Sequence, residues 1–199
     1  MWRYNKSTMK YLIIYAHPDI ESHARITLQE LESRLKELKK DYEVIDLYKI
    51  KFDPALSAHE MTNRNPEEAN EQVKEFQQKI TAAKILIFIY PVWWNGMPAM
   101  MKGFIDRVFS SGFAFKYVNK IPRRLLKGRK AIVFTTTGTN KLLSCLFLGN
   151  RWKTIVAKDM LRFFGIKAKV YHIGNAYKLT DSNKEKIKKN VMKALKHLN

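Results

Sequence analysis

Apolar runs of strand length alternate with amphipathic stretches from one end of the chain to the other. Tyr11 to Ala16 is short and wholly apolar or aromatic, and Leu28, Leu31, Leu35 and Leu38 follow at helical spacing. Val44 to Tyr48 predicts a second strand, and Lys49 to Arg64, with no clear period, a long loop. Asn65-Pro66-Glu67-Glu68 has the form of a helix start, with Asn65 as N-cap, Pro66 in the first turn and Glu68 reaching back. Ala69, Val73, Phe76 and Ile80 mark that helix's buried stripe. Ile85 to Tyr90 predicts a third strand, and Met97, Met100, Met101, Phe104, Ile105 and Val108 a helix with Pro98 near its start. Ala131 to Thr135 reads as a fourth strand, and Trp152, Ile155, Val156, Met160 and Phe163 as a helix stopped by Gly165. Lys167 to Ile173 is the fifth strand. A last helix, after Thr180-Asp181-Ser182, turns Ile187, Val191, Leu195 and Leu198 inward.

Strands separated by helices imply an α/β fold: a doubly wound five-stranded parallel sheet, order 2-1-3-4-5, with helices on both faces. The first and third strands are apolar throughout, as central parallel strands are. A single domain spans residues 1–199, with 1–9 as an N-terminal extension; no repeat, low-complexity tract or linker interrupts it. The order puts a ligand crevice at the C-terminal ends of strands 1, 3 and 4.

Those ends carry three unusual loops. The first, His17-Pro18-Asp19-Ile20-Glu21-Ser22-His23-Ala24-Arg25, leads into a helix whose free amides and positive end suit an anion, with side-chain help from His17, Ser22 and Arg25. It is neither a GxGxxG nor a Walker loop. Taken alone it reads first as a capping Ser22 and a structural His17. The second, Pro91-Val92-Trp93-Trp94-Asn95-Gly96, offers indoles and backbone amides to a flat aromatic ligand, or else a hydrophobic plug or dimer contact. The third, Thr135-Thr136-Thr137-Gly138-Thr139-Asn140, has hydroxyls and amides for an anion or a heterocycle edge. Together at one crevice, the three loops point to one ligand, with a phosphate tail at the first and a planar ring between the others.

Composition narrows the class. No apolar stretch approaches the roughly 20 residues that span a bilayer, and residues 1–8 show no apolar signal core, so the expectation is a cytoplasmic protein. Cys145 is the only cysteine, which excludes an internal disulfide and a CxxC redox pair; it reads as a buried apolar residue. His17, His23, His59, His172 and His197 have no ligand spacing, so no metal is expected. The net charge of +19 lies wholly in the second half: residues 1–99 hold 14 basic and 14 acidic side chains, residues 100–199 hold 23 and 4. The excess is that of a solvated lysine face, or of a surface for an anionic membrane, a membrane-protein partner or nucleic acid, although no nucleic-acid motif is present.

The chain resembles the flavodoxin-like NAD(P)H:quinone oxidoreductases, a family that includes DT-diaphorase and the ancillary quinone reductases of potassium-efflux systems. The resemblance runs from about Tyr11 to Asn175. It rests on His17-Pro18 followed by Ser22, on Pro91-Val92-Trp93-Trp94-Asn95-Gly96-Met97-Pro98-Ala99, on Lys102-Gly103-Phe104-Ile105-Asp106-Arg107-Val108, on Gly112-Phe113-Ala114-Phe115 and on Thr136-Thr137-Gly138. It implies a noncovalent flavin, FMN before FAD, with His17, Ser22 and His23 near its phosphate. Pro91, Val92, Trp93, Trp94, Asn95 and Gly96 would line the ring, and Thr136, Thr137 and Gly138 would meet its pyrimidine side. Phe115 and Tyr117 fall where the family places aromatics over quinone or nicotinamide. A homodimer, with the partner completing the site, is also implied. The chain departs from the family where a Tyr and a His help stabilise charge on the reduced ring: those positions hold Ser144 and Asn150, leaving Tyr117 or His172 as substitutes.

The implied activity is two-electron transfer, as hydride, from NADPH or NADH through the flavin to a quinone-type acceptor in a ping-pong cycle. The rival readings are an azo- or nitro-compound reductase on the same flavin, a slow-turnover flavin-binding regulatory subunit, and a basic surface binder that kept only the fold.

Overall fold

A computed structural model describes residues 11–62, 70–140, 146 and 149–198. The N-terminal extension and Asn65, Pro66, Glu68, Ala69, Ser144 and Cys145 lie outside the described residues. In chain order the strands are β1 (Tyr11–Tyr15), β2 (Tyr42–Asp46), β3 (Ile85–Pro91), β4 (Phe115–Val118), β5 (Ile121–Arg124), β6 (Lys130–Thr136) and β7 (Lys167–Ile173). The helices are α1 (His23–Glu37), α2 (Ala58–Thr62), α3 (Glu71–Ala82), α4 (Ala99–Val108), α5 (residues 151–164) and α6 (Asp181–Leu198).

Five strands form a parallel sheet in the order β2-β1-β3-β6-β7. This is the expected doubly wound order, renumbered because an antiparallel hairpin, β4–β5, intervenes where no strand was expected. Every residue of β1 and β3 is buried, because helices cover both faces of the sheet. On one face Leu28, Leu31 and Leu35 of α1 and Ile187 and Val191 of α6 pack on Ile13, Ile87 and Ile132. On the other, α3, α4 and α5 bring Phe76, Ile80, Phe104, Val108 and Val156 against Leu12, Ile14, Phe88 and Val133. Gly103 lets α4 reach the chain at Pro54: a Cβ there would overlap Pro54 backbone and side-chain atoms.

Several boundaries differ from expectation. The helix carrying Val73, Phe76 and Ile80 starts at Glu71, capped by Asn70, whose side chain accepts from Gln72 N–H at 2.9 Å. The Asn65 start is therefore not the start of this helix. Strand β2 begins two residues before Val44 and ends at Asp46, and the long loop holds the short helix α2. Leu38 is an exposed C-cap, not part of the buried stripe of α1. In α5 the turns from Ile155 to Leu161 are π-helical, which breaks the 3.6-residue period and leaves Ile155 exposed. Gly165 ends α5 at φ 95° as a left-handed cap.

Candidate functional site

Because the strands are parallel, their C-terminal ends lie at one edge of the sheet, and the three loops leave from adjacent strands there. Ala16 N–H donates to Ile89 O at 3.0 Å, Val92 N–H to Thr136 O at 2.8 Å, and Thr137 N–H to Ile173 O at 2.9 Å.

The first loop is closed by its own polar groups. His17 Nδ1 accepts from Asp19 N–H at 3.0 Å, and Asp19 Oδ1 accepts from Glu21 N–H at 2.8 Å. Ser22 Oγ donates to Asp19 O at 2.9 Å and accepts from Arg25 N–H at 3.1 Å, capping α1. Arg25 and Ile26 amides are thus used, while those of His23 and Ala24 have no acceptor within the helix and sit at its positive end. Burial pulls the His17 imidazole below its ordinary pKa, more than the Asp19 contacts raise it, so at neutral pH the ring is uncharged. The His23 ring turns away from the loop and into the interior. Its Nε2 accepts from Asn183 Nδ2 at 3.0 Å, and burial lowers its pKa as well. What position 23 presents to the crevice is its backbone.

The second loop is a two-residue turn. Trp93 and Gly96 exchange hydrogen bonds of 3.0 and 2.9 Å, and Trp94 (φ 49°) and Asn95 (φ 60°) both take the left-handed conformation. That is a type I′ turn built without glycine at its centre, a costly choice for tryptophan. The Trp93 ring lies 6.0 Å from the His17 ring, joining the first two loops, while Trp94 is fully exposed. Asn95 Oδ1 is buried with no hydrogen-bond partner. A Cβ on Gly96 would meet nothing nearer than Trp93 O at 3.7 Å.

The third loop is braced by a fourth that the sequence reading passed over. Thr137 Oγ1 donates to Thr139 O at 2.9 Å and lies within hydrogen-bond distance, 2.8 Å, of His172 Nε2. His172 stacks obliquely on Trp152, centroids 4.9 Å apart. After β7, Asn175 N–H donates to Thr139 O at 3.2 Å and Ala176 N–H to Thr137 O at 2.9 Å. The Tyr177 ring lies against Gly138 so closely that a Cβ there would fall 2.7 Å from it. Gly174-Asn175, a turn signal directly after a strand, was the available clue.

The residues around the crevice are of the kinds that fit a flavin. The first-turn amides of α1 could take an anion, the Asn95 oxygen, which has no donor among the described residues, could take a ring N–H, and Gly96 leaves room for a plane beside Trp93.

Comparison with known proteins identifies the fold family. The model of a flavodoxin-like fold family matches residues 9–198. The chain belongs to this family. An uncharacterized NAD(P)H oxidoreductase of Haemophilus influenzae is 37% identical over 133 residues, which span 66% of each chain. The chain thus covers just under two thirds of that relative. The NAD(P)H:quinone oxidoreductase of Methanothermobacter marburgensis superposes with a TM-score of 0.83 at 28% identity, over 97% of this chain and 100% of that one. An FMN-dependent NADH-azoreductase of Bacillus anthracis, in complex with FMN, shares the fold at 23% identity and a TM-score of 0.79, over 95% and 98%.

Not every expected site residue joins the crevice. Phe115 and Tyr117 lie on β4, with Phe115 5.0 Å from Phe163 and 5.8 Å from Tyr117, ring to ring. They line a separate cavity of about 560 Å³ between α4 and α5, with Ile105, Phe109, Met160 and Phe163. None of the residues of the three loops lines it. Asn150 precedes α5 in the left-handed conformation. Of the two residues expected to substitute for the family's Tyr and His, His172 touches the third loop through Thr137, while Tyr117 lines the cavity between α4 and α5. Among the described residues, no helix is long and apolar enough to cross a membrane.

Proposed function

We propose that the chain is a flavin-dependent NAD(P)H oxidoreductase that passes two electrons, as hydride, to a quinone-type acceptor. The observation that carries this is the second loop: a left-handed Trp94-Asn95 turn with a buried unpartnered oxygen, set beside His17 and the third loop. FMN is the favoured flavin, in line with the FMN-bound azoreductase of the same fold; FAD is the alternative.

A flavin bound there supplies hydride transfer between nicotinamide and quinone. The chain's residues hold and polarise. The His23 and Ala24 amides take the phosphate, with Ser22 fixing the helix end and the neutral His17 ring free to hydrogen-bond through Nε2. Trp93 and Trp94 give apolar area. Asn95 Oδ1 and the loop amides bind ring edges, and fixed amide dipoles favour negative charge at the ring. His172, held by Thr137 and Trp152, is the titratable side chain best placed to replace the family's Tyr and His. In one subunit Phe115 and Tyr117 stand apart from the crevice, so their part in substrate binding is across a homodimer, onto the partner's flavin. NADPH is favoured over NADH by the basic second half, and the cytoplasm is the expected location.

The test is the visible spectrum of purified protein, with mass analysis of what heat releases, followed by NADPH oxidation with and without a benzoquinone. Bound FMN and quinone-stimulated oxidation support the proposal; colourless protein that refuses micromolar FMN and FAD overturns it. An azo dye reduced faster than quinone would favour azoreductase activity instead.

A further inference from the structure

The open edge of the sheet and the last helix frame a second, chemically different groove. Its volume is about 650 Å³; it adjoins the third loop at Asn140 and His172, and its lining runs on through Ile173 and Asn175 to Lys186, Lys189, Lys193 and Lys196 of α6. The spacing of these lysines, 3, 4 and 3 residues, sets them on one face of the helix, along about 15 Å of its length. All four are exposed, no acidic residue lines the groove, and none forms a salt bridge among the described residues. Lys167 and Lys169 of β7 add two more exposed cations on the same face of the sheet as α6.

The strand offers directional bonding. Among the described residues, β7 ends the sheet order and no strand pairs with its outer edge. Lys167 N–H donates to Arg129 O at 3.2 Å and Ile173 O accepts from Thr137 N–H at 2.9 Å, so the odd-numbered residues of β7 turn their backbone toward β6. By the alternation of a parallel ladder, Ala168 and Val170 turn N–H and C=O outward, to the open edge.

We propose that this groove docks an extended acidic segment of a partner protein, which adds as a strand to the outer edge of β7 while its carboxylates meet the lysines of α6. Edge addition gives main-chain hydrogen bonds and the lysine row gives selectivity for acid. About five extended residues match the 15 Å of the lysine row. Single-stranded nucleic acid fits less well, because stacking platforms are aromatic and, among the described residues, the groove's one ring is His172. A flat anionic membrane does not enter a concave groove.

The probe is a fluorescent seven-residue peptide of alternating glutamate and valine, titrated against the full chain at low salt and read by anisotropy. Saturable binding is expected. It should weaken at least about tenfold in the K186E/K189E/K193E/K196E variant, whose circular dichroism should match the parent. Two further peptides, N-methylated at alternate amides in one register or the other, test the strand: one should lose binding and the other keep it. No binding, equal binding of both methylated peptides, or tighter binding of a single-stranded oligonucleotide or of phosphatidylserine vesicles would overturn the proposal.

Discussion

The first and second loops leave neighbouring strands and touch through His17 and Trp93, yet they are built on opposite principles. The first satisfies itself. Asp19 N–H, Glu21 N–H, Arg25 N–H and the Ser22 hydroxyl all have partners inside the loop or helix end. The second holds two non-glycine residues at positive φ, exposes an indole fully and buries an oxygen with nothing to accept. A loop that folding alone stabilises keeps its shape with or without a ligand. One that folding leaves strained and unsatisfied gains most when something binds. On the proposed function, the first loop would be a preformed cradle for an anion, and the second the place where ligand binding recovers energy.

The hardest test of that division removes the second loop's apolar surface. Trp93→Ala with Trp94→Ala should weaken flavin binding by about 100-fold, the scale of losing central aromatic anchors. The melting temperature without flavin should stay within a few degrees of the parent, since Trp93 is part-exposed and Trp94 lies in solvent. Equilibrium titration and thermal melts decide it; a large loss of apo stability would make Trp93 a core residue and erase the contrast.

Ser22→Ala attacks the other loop. It removes the cap of α1 and the bond to Asp19 O, and should cost about 1 kcal/mol of stability in the absence of flavin. Chemical denaturation measures it. Unchanged stability would mean the first loop does not depend on its own hydrogen bonds.

Asn95→Gly should do the reverse. Glycine takes φ 60° without strain and removes a buried acceptor that has no donor, so the free protein should gain up to about 1 kcal/mol. The same variant should bind flavin more weakly. Stability and affinity moving in the same direction would show that Asn95 is not held in place for a ligand.

How much of this was legible follows the physics of each element. The five parallel strands stand out because a strand buried on both faces is an apolar run, and the three loops stand out because parallel strands deliver their ends to one edge. The hairpin β4–β5 was invisible because its turn uses Asn119 and Lys120 at φ 51° and 63°, not the Asn-Gly pair that advertises a type I′ turn, and its strands are largely exposed. The start of α3 was misplaced because Asn65-Pro66 looks like a better cap than Asn70, whose side chain forms the bond found. The inward turn of His23 had no local signal at all: its partner, Asn183, is 160 residues away.

That partner gives the smallest expected effect, on a residue behind the first loop. His23 is buried and its pKa is lowered from 6.5 by desolvation. In the unfolded chain the same imidazole binds a proton near its ordinary value, so below about pH 6.5 the unfolded state holds more protons and stability decreases as pH decreases. Folding is thus favoured above that pH, and the advantage is lost as pH drops toward the folded pKa. The melting temperature should be lower at pH 5 than at pH 7.5, and His23→Gln, which keeps a hydrogen-bonding group near Asn183 but cannot titrate, should flatten part of that slope. His17 has the same sign but lies in the open loop, where protonation lets Nδ1 donate to Asp19 O, 3.2 Å away, instead of accepting from Asp19 N–H. Its substitution by Gln should change the slope less. Equal slopes in the two variants would mean that the first loop is no better able to absorb a charge than the interior behind it.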